Sequence, residues 1–184
     1  MPPSRFQIQQ AAKAIKNQGV IAYPTESVYG LGCNPLCEKA VNKILQLKRR
    51  PIKKGLILIA SNFKQLAFFT DLSLTDKEKI RSNTAAQTWL VKKSTQTPLW
   101  ICGEHSKVAI RVSQHPIVKA LCNEAGMAIV STSANTANSK SAASLLQVRQ
   151  YFPTQLDFYL PGSTGSLSKA TPIIDLETSE FIRD

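Results

Sequence analysis

The apolar positions of the chain recur in two rhythms. Over residues 5–18 they gather on one helical face, with Phe6, Ile8, Ala11, Ala12 and Ile15 together and Gly19 where a helix would stop. The same spacing predicts helices over 37–48, through Ala40, Val41, Ile44, Leu45 and Leu47, and over 75–83, 116–124 and 144–151. Pro116 suits a first helical turn, and Gly126 stands past the end. Between these lie short apolar runs that read as strands: Val20–Tyr23, Leu56–Ala60, Val108–Val112, Met127–Val130, Phe158–Leu160 and Ile173–Ile174. Leu56–Ala60 has no polar face, as befits the middle of a sheet covered by helices. Pro24 is expected to break the first strand and open a polar loop through Thr25, Glu26, Ser27, Gly30 and Gly32. Strands alternating with helices, with no repeat and no long linker, predict a single α/β domain over residues 1–184, a mixed sheet flanked by helices.

A hydrophobic fraction of 43% in 184 residues supplies a core without staples. The longest apolar stretch is Leu56–Ala60, far short of the ~20 residues of a spanning helix, so membrane insertion is excluded. The first ten residues hold no apolar segment of the secretory kind, which points to the cytoplasm. Cys33, Cys37, Cys102 and Cys122 are too few for a disulfide scaffold and read as small reduced thiols. A zinc site built from them with His105 and His115 lacks a second pair at ligand spacing.

Charge changes the picture. The 23 Lys and Arg against 12 Asp and Glu leave +11, which favours polyanionic partners: nucleic acid, nucleotide or an anionic surface. Lys13, Lys16, Lys39 and Lys43 read as solvated helix faces. The run Lys48-Arg49-Arg50-Pro51-Ile52-Lys53-Lys54 differs, because it gathers five cations around a helix-ending proline just before an apolar strand. The Thr25–Glu26 loop and the run Ser131-Thr132-Ser133-Ala134-Asn135 also stand at strand ends, where α/β folds bind ligands. Together they predict an anion pocket. With no G-x-x-x-x-G-K-[ST] and no G-x-G-x-x-G, such a pocket must rest on side-chain cations and hydroxyls.

Four ordered motifs carry a resemblance: Tyr23-Pro24-Thr25-Glu26-Ser27-Val28-Tyr29-Gly30-Leu31-Gly32, Lys48-x-Arg50-Pro51-x-x-Lys54-Gly55, Ala109-Ile110-Arg111-Val112 followed by His115-Pro116, and Ser131-Thr132-Ser133-Ala134-Asn135. In these the chain resembles the YrdC/Sua5 family of threonylcarbamoyl-AMP synthases, in its short bacterial form, from about residue 6 to about residue 183. The resemblance implies a twisted α/β sheet with a basic concave opening. It implies an enzyme that joins L-threonine, bicarbonate and ATP, with Mg²⁺, into threonylcarbamoyl-AMP and pyrophosphate. The product would serve modification of adenosine 37 in tRNA through a downstream threonylcarbamoyl transferase complex.

Carried over by position, Thr25, Arg111, Ser131 and Thr171 would meet threonine, Arg111 through its carboxylate. Lys48, Arg50 and Lys54 would surround the triphosphate as the catalytic cations, and Ser133, Asn135, Ser141 and Arg183 would complete the nucleotide side. Carbamate attack on the α-phosphorus crowds negative charge, so fixed cations and Mg²⁺ suffice without a protein nucleophile. Glu26 is by position either a Mg²⁺ ligand or a carboxylate neutralising nearby lysines. Two departures stand out. Asn83-Thr84-Ala85-Ala86-Gln87-Thr88-Trp89 replaces a Trp-Pro-Gly-Pro segment and bears on the pocket wall, and Ala170-Thr171-Pro172 replaces a Ser-Thr-Ile pattern. Other readings use the same residues: a non-catalytic RNA- or tRNA-binding protein of this fold, against which stands the scarcity of aromatics at 7%, or a paralogue with a changed substrate.

Overall fold

The computed structural model describes residues 2–137, 139–167 and 169–183. Its helices are α1 (Arg5–Lys16), α2 (Glu38–Lys48), α3 (Leu74–Ser82), α4 (Leu99–Cys102), α5 (Pro116–Ala125) and α6 (Leu145–Tyr151). Its strands are β1 (Ile21–Pro24), β2 (Tyr29–Gly32), β3 (Ile57–Ala60), β4 (Thr88–Lys92), β5 (Lys107–Val112), β6 (Ile129–Ser133), β7 (Phe158–Tyr159), β8 (Ile173–Asp175) and β9 (Phe181–Arg183). All nine join in one mixed sheet of order β7-β1-β2-β6-β3-β5-β4-β8-β9, with β1/β7, β3/β5 and β4/β8 parallel.

Four sequence expectations are corrected. Ser4 caps α1 by accepting from the Gln7 amide, and Ile8, Ala11, Ala12 and Ile15 are buried, but Phe6 is 66% exposed. Two residues turn a helix by about 200°, so Phe6 and Ile8 cannot share a face. The glycine-bearing stretch after Ser27 is a strand rather than a loop: β2 lies against Tyr23, and a Cβ on Gly32 would come within 2.7 Å of that ring. Pro24 is the last residue of β1 rather than its breaker. Ser131 to Ser133 belong to β6 itself, so their alternate side chains are set by the pleat. Strands β4 and β9 and helix α4 lie where no element was predicted.

The sheet is covered unequally. One face packs beneath α2, with Val41, Ile44 and Leu45 over Leu31, Leu58, Ile110 and Val130. On the other, α1 and α5 cover only Ile21, Tyr23, Ile59 and Ile129. Side chains alternate along a strand, so Ile57 shares this second face with Ile59, and its partner Ala109 and the next partner Leu90 extend it. These three are only partly buried. The uncovered half is the floor on which the site is built. Cys33, Cys102 and Cys122 are buried free thiols, Cys37 is half-buried, and among the described residues no helix is long and apolar enough to cross a membrane.

Candidate active site

A cleft of about 210 Å³ opens over this floor, lined by Thr25, Gly30, Arg50, Arg111, Ser131, Ser133, Ser141, Thr171 and Arg183 among others. The fold brings these residues together from six separate stretches of chain, because β2, β6, β3 and β5 are neighbours in the sheet.

Arg111, on β5, is the most constrained of them. Its Nε and Nη2 both donate to Thr88 Oγ1, at 3.1 and 2.9 Å, Nη2 also donates to Thr171 Oγ1, and Nη1 donates to Glu26 Oε2 at 2.9 Å. A guanidinium has five N–H groups, so among the described residues one, on Nη1, remains for a ligand. Ser113 Oγ donates to the other Glu26 oxygen at 2.5 Å. Burial by itself pushes the Glu26 carboxyl up, but Arg111 and Ser113 outweigh it and hold it below the usual carboxylate range. Glu26 therefore neutralises Arg111, not the lysines. Thr88 and Ser113, buried in the network, were not among the expected site residues. Thr88 stands 23 residues from Arg111 in sequence, so no local pattern marks it.

The Thr25 hydroxyl donates to Val28 O at 2.8 Å, which closes its loop and leaves the oxygen lone pairs free to accept. Arg50 is anchored by Nε and Nη2 to the carbonyls of Lys54 and Gly55. Among the described residues nothing accepts from its Nη1, so one edge of that guanidinium is open. Burial, and then Arg183 beside it, lower the Arg50 pKa; burial, and then Arg111, lower that of Arg183. Three guanidiniums thus gather around a cleft to which, among the described residues, Glu26 supplies the counter-charge, and a bound polyanion relieves their repulsion.

Other expected residues stand elsewhere. Lys54 is exposed and lines an adjoining cavity of about 350 Å³ that shares Arg50, Leu56, Ile57 and Arg183 with the cleft and is also walled by Lys107, Leu90 and Ile182. Lys48 and Asn135 lie behind the cleft, bonded to each other. The 83–87 segment walls a third cavity, of about 290 Å³, whose lining also includes Glu26. Its departure from the family pattern therefore bears on this cavity at Glu26, and the segment does not line the cleft itself. Among the described residues no three His, Cys, Asp or Glu side chains converge as a metal cage.

Known proteins share this fold and much of this sequence. The Sua5/YciO/YrdC family model, described as telomere recombination, matches residues 13–184. A protein of Stutzerimonas stutzeri named threonylcarbamoyl-AMP synthase is 46% identical over 181 residues, covering 97% of each chain. One of that name from Pseudomonas putida is 45% identical over 182 residues, covering 98% of each. Among solved structures, P. abyssi Sua5 complexed with L-threonine superposes with a TM-score of 0.87 at 30% identity over 95% of this chain, which spans 52% of that longer protein. A match that runs through every motif of the cleft and nearly the whole sequence leaves one conclusion: the chain belongs to the Sua5/YciO/YrdC family.

Proposed function

We propose that this chain is a threonylcarbamoyl-AMP synthase, joining L-threonine, bicarbonate and MgATP into L-threonylcarbamoyl-AMP with release of pyrophosphate. The observation that carries the reading is the meeting in one cleft of Arg111, set among hydroxyls, with the open edge of Arg50 and with Arg183. A carboxylate-sized contact thereby adjoins a polyanion-sized one.

The free N–H of Arg111 takes the threonine carboxylate, the Thr25 hydroxyl oxygen accepts from a polar hydrogen of the substrate, and the Thr171 hydroxyl, whose oxygen already accepts from Arg111 and Thr88, donates to it. The threonine amine adds to the bicarbonate carbon; a C–N bond forms and water leaves, giving a carbamate. A carbamate oxygen then attacks the α-phosphorus, and the bond to the β-phosphate bridging oxygen breaks with loss of pyrophosphate. The chain supplies orientation and positive charge, with Arg50 and Arg183 against the phosphates, and no side chain need act as nucleophile. Cleft and adjoining cavity together suit two small substrates, so the nucleotide extends past Arg50 toward Lys54 and Lys107. Glu26 is committed to Arg111 and Ser113 as their buried counter-charge, so the reading has Mg²⁺ arrive with the triphosphate.

The product is a mixed anhydride that water destroys, which favours delivery to a threonylcarbamoyl transferase complex acting on adenosine 37 of tRNA. The net charge of +11 suits a polyanion such as that tRNA, and the reading places the chain in the cytoplasm. The test is pyrophosphate release with each of threonine, bicarbonate and ATP omitted in turn. Release should need all three; release without threonine, or none with the full set, rejects the proposal.

A further inference from the structure

Lys48, the last residue of α2, is buried, and its Nζ donates to Ser133 O at 2.5 Å, Asn135 O at 3.0 Å and Asn135 Oδ1 at 2.9 Å. An ammonium has three N–H groups, so all of its donors are engaged on one turn. Asn135 is saturated as well. Its Oδ1 accepts from Lys48 and from Ser133 Oγ at 2.6 Å, and its Nδ2 donates to Thr136 O at 3.1 Å and Ser139 O at 2.7 Å. Neither side chain is in the cleft wall, whereas Ser133 and Ser141, on either side of the turn, are. Arg49 adopts a left-handed conformation with φ 48°, which reverses the chain, so that Lys48 enters the turn while Arg50 lines the cleft.

We propose that Lys48 is a positioning residue: its ammonium clamps the Ser133–Asn135 turn and so sets the nucleotide side of the cleft, and it makes no phosphate contact. The proposal deepens the synthase reading and rests on it. Reaching a phosphate would require Lys48 to abandon three acceptors, while Arg50 has an edge open already. Burial, and then Arg50, bring the Lys48 pKa down to about 8, so its charge is held at a cost that only the clamp repays.

Binding of inorganic tripolyphosphate and steady-state pyrophosphate release separate the roles, measured on the parent, Lys48→Met, Lys48→Arg, Asn135→Ala, Lys48→Met/Asn135→Ala and Arg50→Ala. The clamp predicts tripolyphosphate affinity within about twofold of the parent for Lys48→Met and Asn135→Ala, and a loss of about tenfold or more for Arg50→Ala. It also predicts that the two turn variants lower kcat alike with KM for ATP little changed, and that the double variant is no worse than either. Lys48→Arg should not restore kcat, because a planar guanidinium cannot meet three acceptors disposed about one nitrogen. Loss of tripolyphosphate affinity in Lys48→Met equal to that of Arg50→Ala, or parental turnover by Lys48→Arg, overturns the proposal. Should Lys48→Met not fold, the ¹⁵N shift of Lys48 Nζ in the parent decides: it stays put on addition of tripolyphosphate if the clamp holds, and moves if Lys48 turns to phosphate. A parent that binds tripolyphosphate but releases no pyrophosphate rejects the synthase reading and leaves the role of Lys48 readable; a parent that binds no tripolyphosphate rejects both.

Discussion

Arg111 and Glu26 meet in the interior of the protein through one 2.9 Å bond, and both are buried. The cation facing the cleft therefore has four of its five donors committed before any ligand arrives. Breaking such a buried pair costs more than the pair contributes, because the survivor keeps its charge without its partner.

Glu26→Ala should destabilise the fold by about 3–5 kcal/mol, while Glu26→Gln, which still accepts from Arg111, should cost less. Because the carboxyl is held below its ordinary range, its contribution is present above the unfolded value and is lost as pH falls through the folded one. Urea melts from pH 7 down to pH 2 should show a shallower acid limb for Glu26→Gln than for the parent.

Arg111→Lys keeps a charge but cannot reach Thr88, Thr171 and Glu26 together from one ammonium. Threonine affinity should fall by about tenfold or more, with binding of an ATP analogue nearly unchanged. Paired calorimetric titrations check this. An equal loss for both ligands would place Arg111 on the phosphates instead.

Arg50→Ala removes the guanidinium edge that nothing else among the described residues occupies. Turnover should drop on the order of 10²-fold, the usual scale for a preorganised charge-stabilising group. The thermal midpoint should move little, since Arg50 is only half-buried and bonds to carbonyls at the surface of one turn. Parental turnover by a folded Arg50→Ala protein would remove it from the reacting phosphates.

Raising pH through about 8 should deprotonate Lys48 in the free enzyme and cost it one of three donors. Among the described residues the charged group acting on it is Arg50; its other partners, Ser133 and Asn135, are neutral. Activity should decline over pH 8–9. Stability should not follow, because a lysine whose folded pKa is depressed leaves the unfolded chain holding more protons above that pH, which favours the fold as pH rises. Parallel rate and urea-melt profiles read the two separately, and Asn135→Ala should flatten the decline in rate.

The amino-acid order alone determined the elements whose own side chains bury a stripe. Helices α1, α2 and α5 lie within a few residues of their apolar repeats, and β3 lies on the longest apolar run, although the expected cover on both faces reaches only Ile59 of its second face and leaves Ile57 to the cleft floor. Strand β2 was not legible, because its glycines answer to the Tyr23 ring and the neighbouring strand and not to any local pattern. Strand β4 was not either, since Thr88 to Lys92 follow a polar segment and become a strand only by pairing with β5 and β8.

The residue types of the site, its hydroxyls and cations at strand ends, could likewise be read along the chain, because chemistry at a phosphate restricts which side chains serve. Which of them remain free to act was decided by tertiary structure. Glu26 lies 85 residues from Arg111, Lys48 lies 87 from Asn135, and Thr171 lies 60 from Arg111. Residue type sets how many hydrogen bonds a side chain can make, but only the packed sheet sets which neighbours claim them: Arg111 keeps one donor, Arg50 keeps an edge, and Lys48 keeps none.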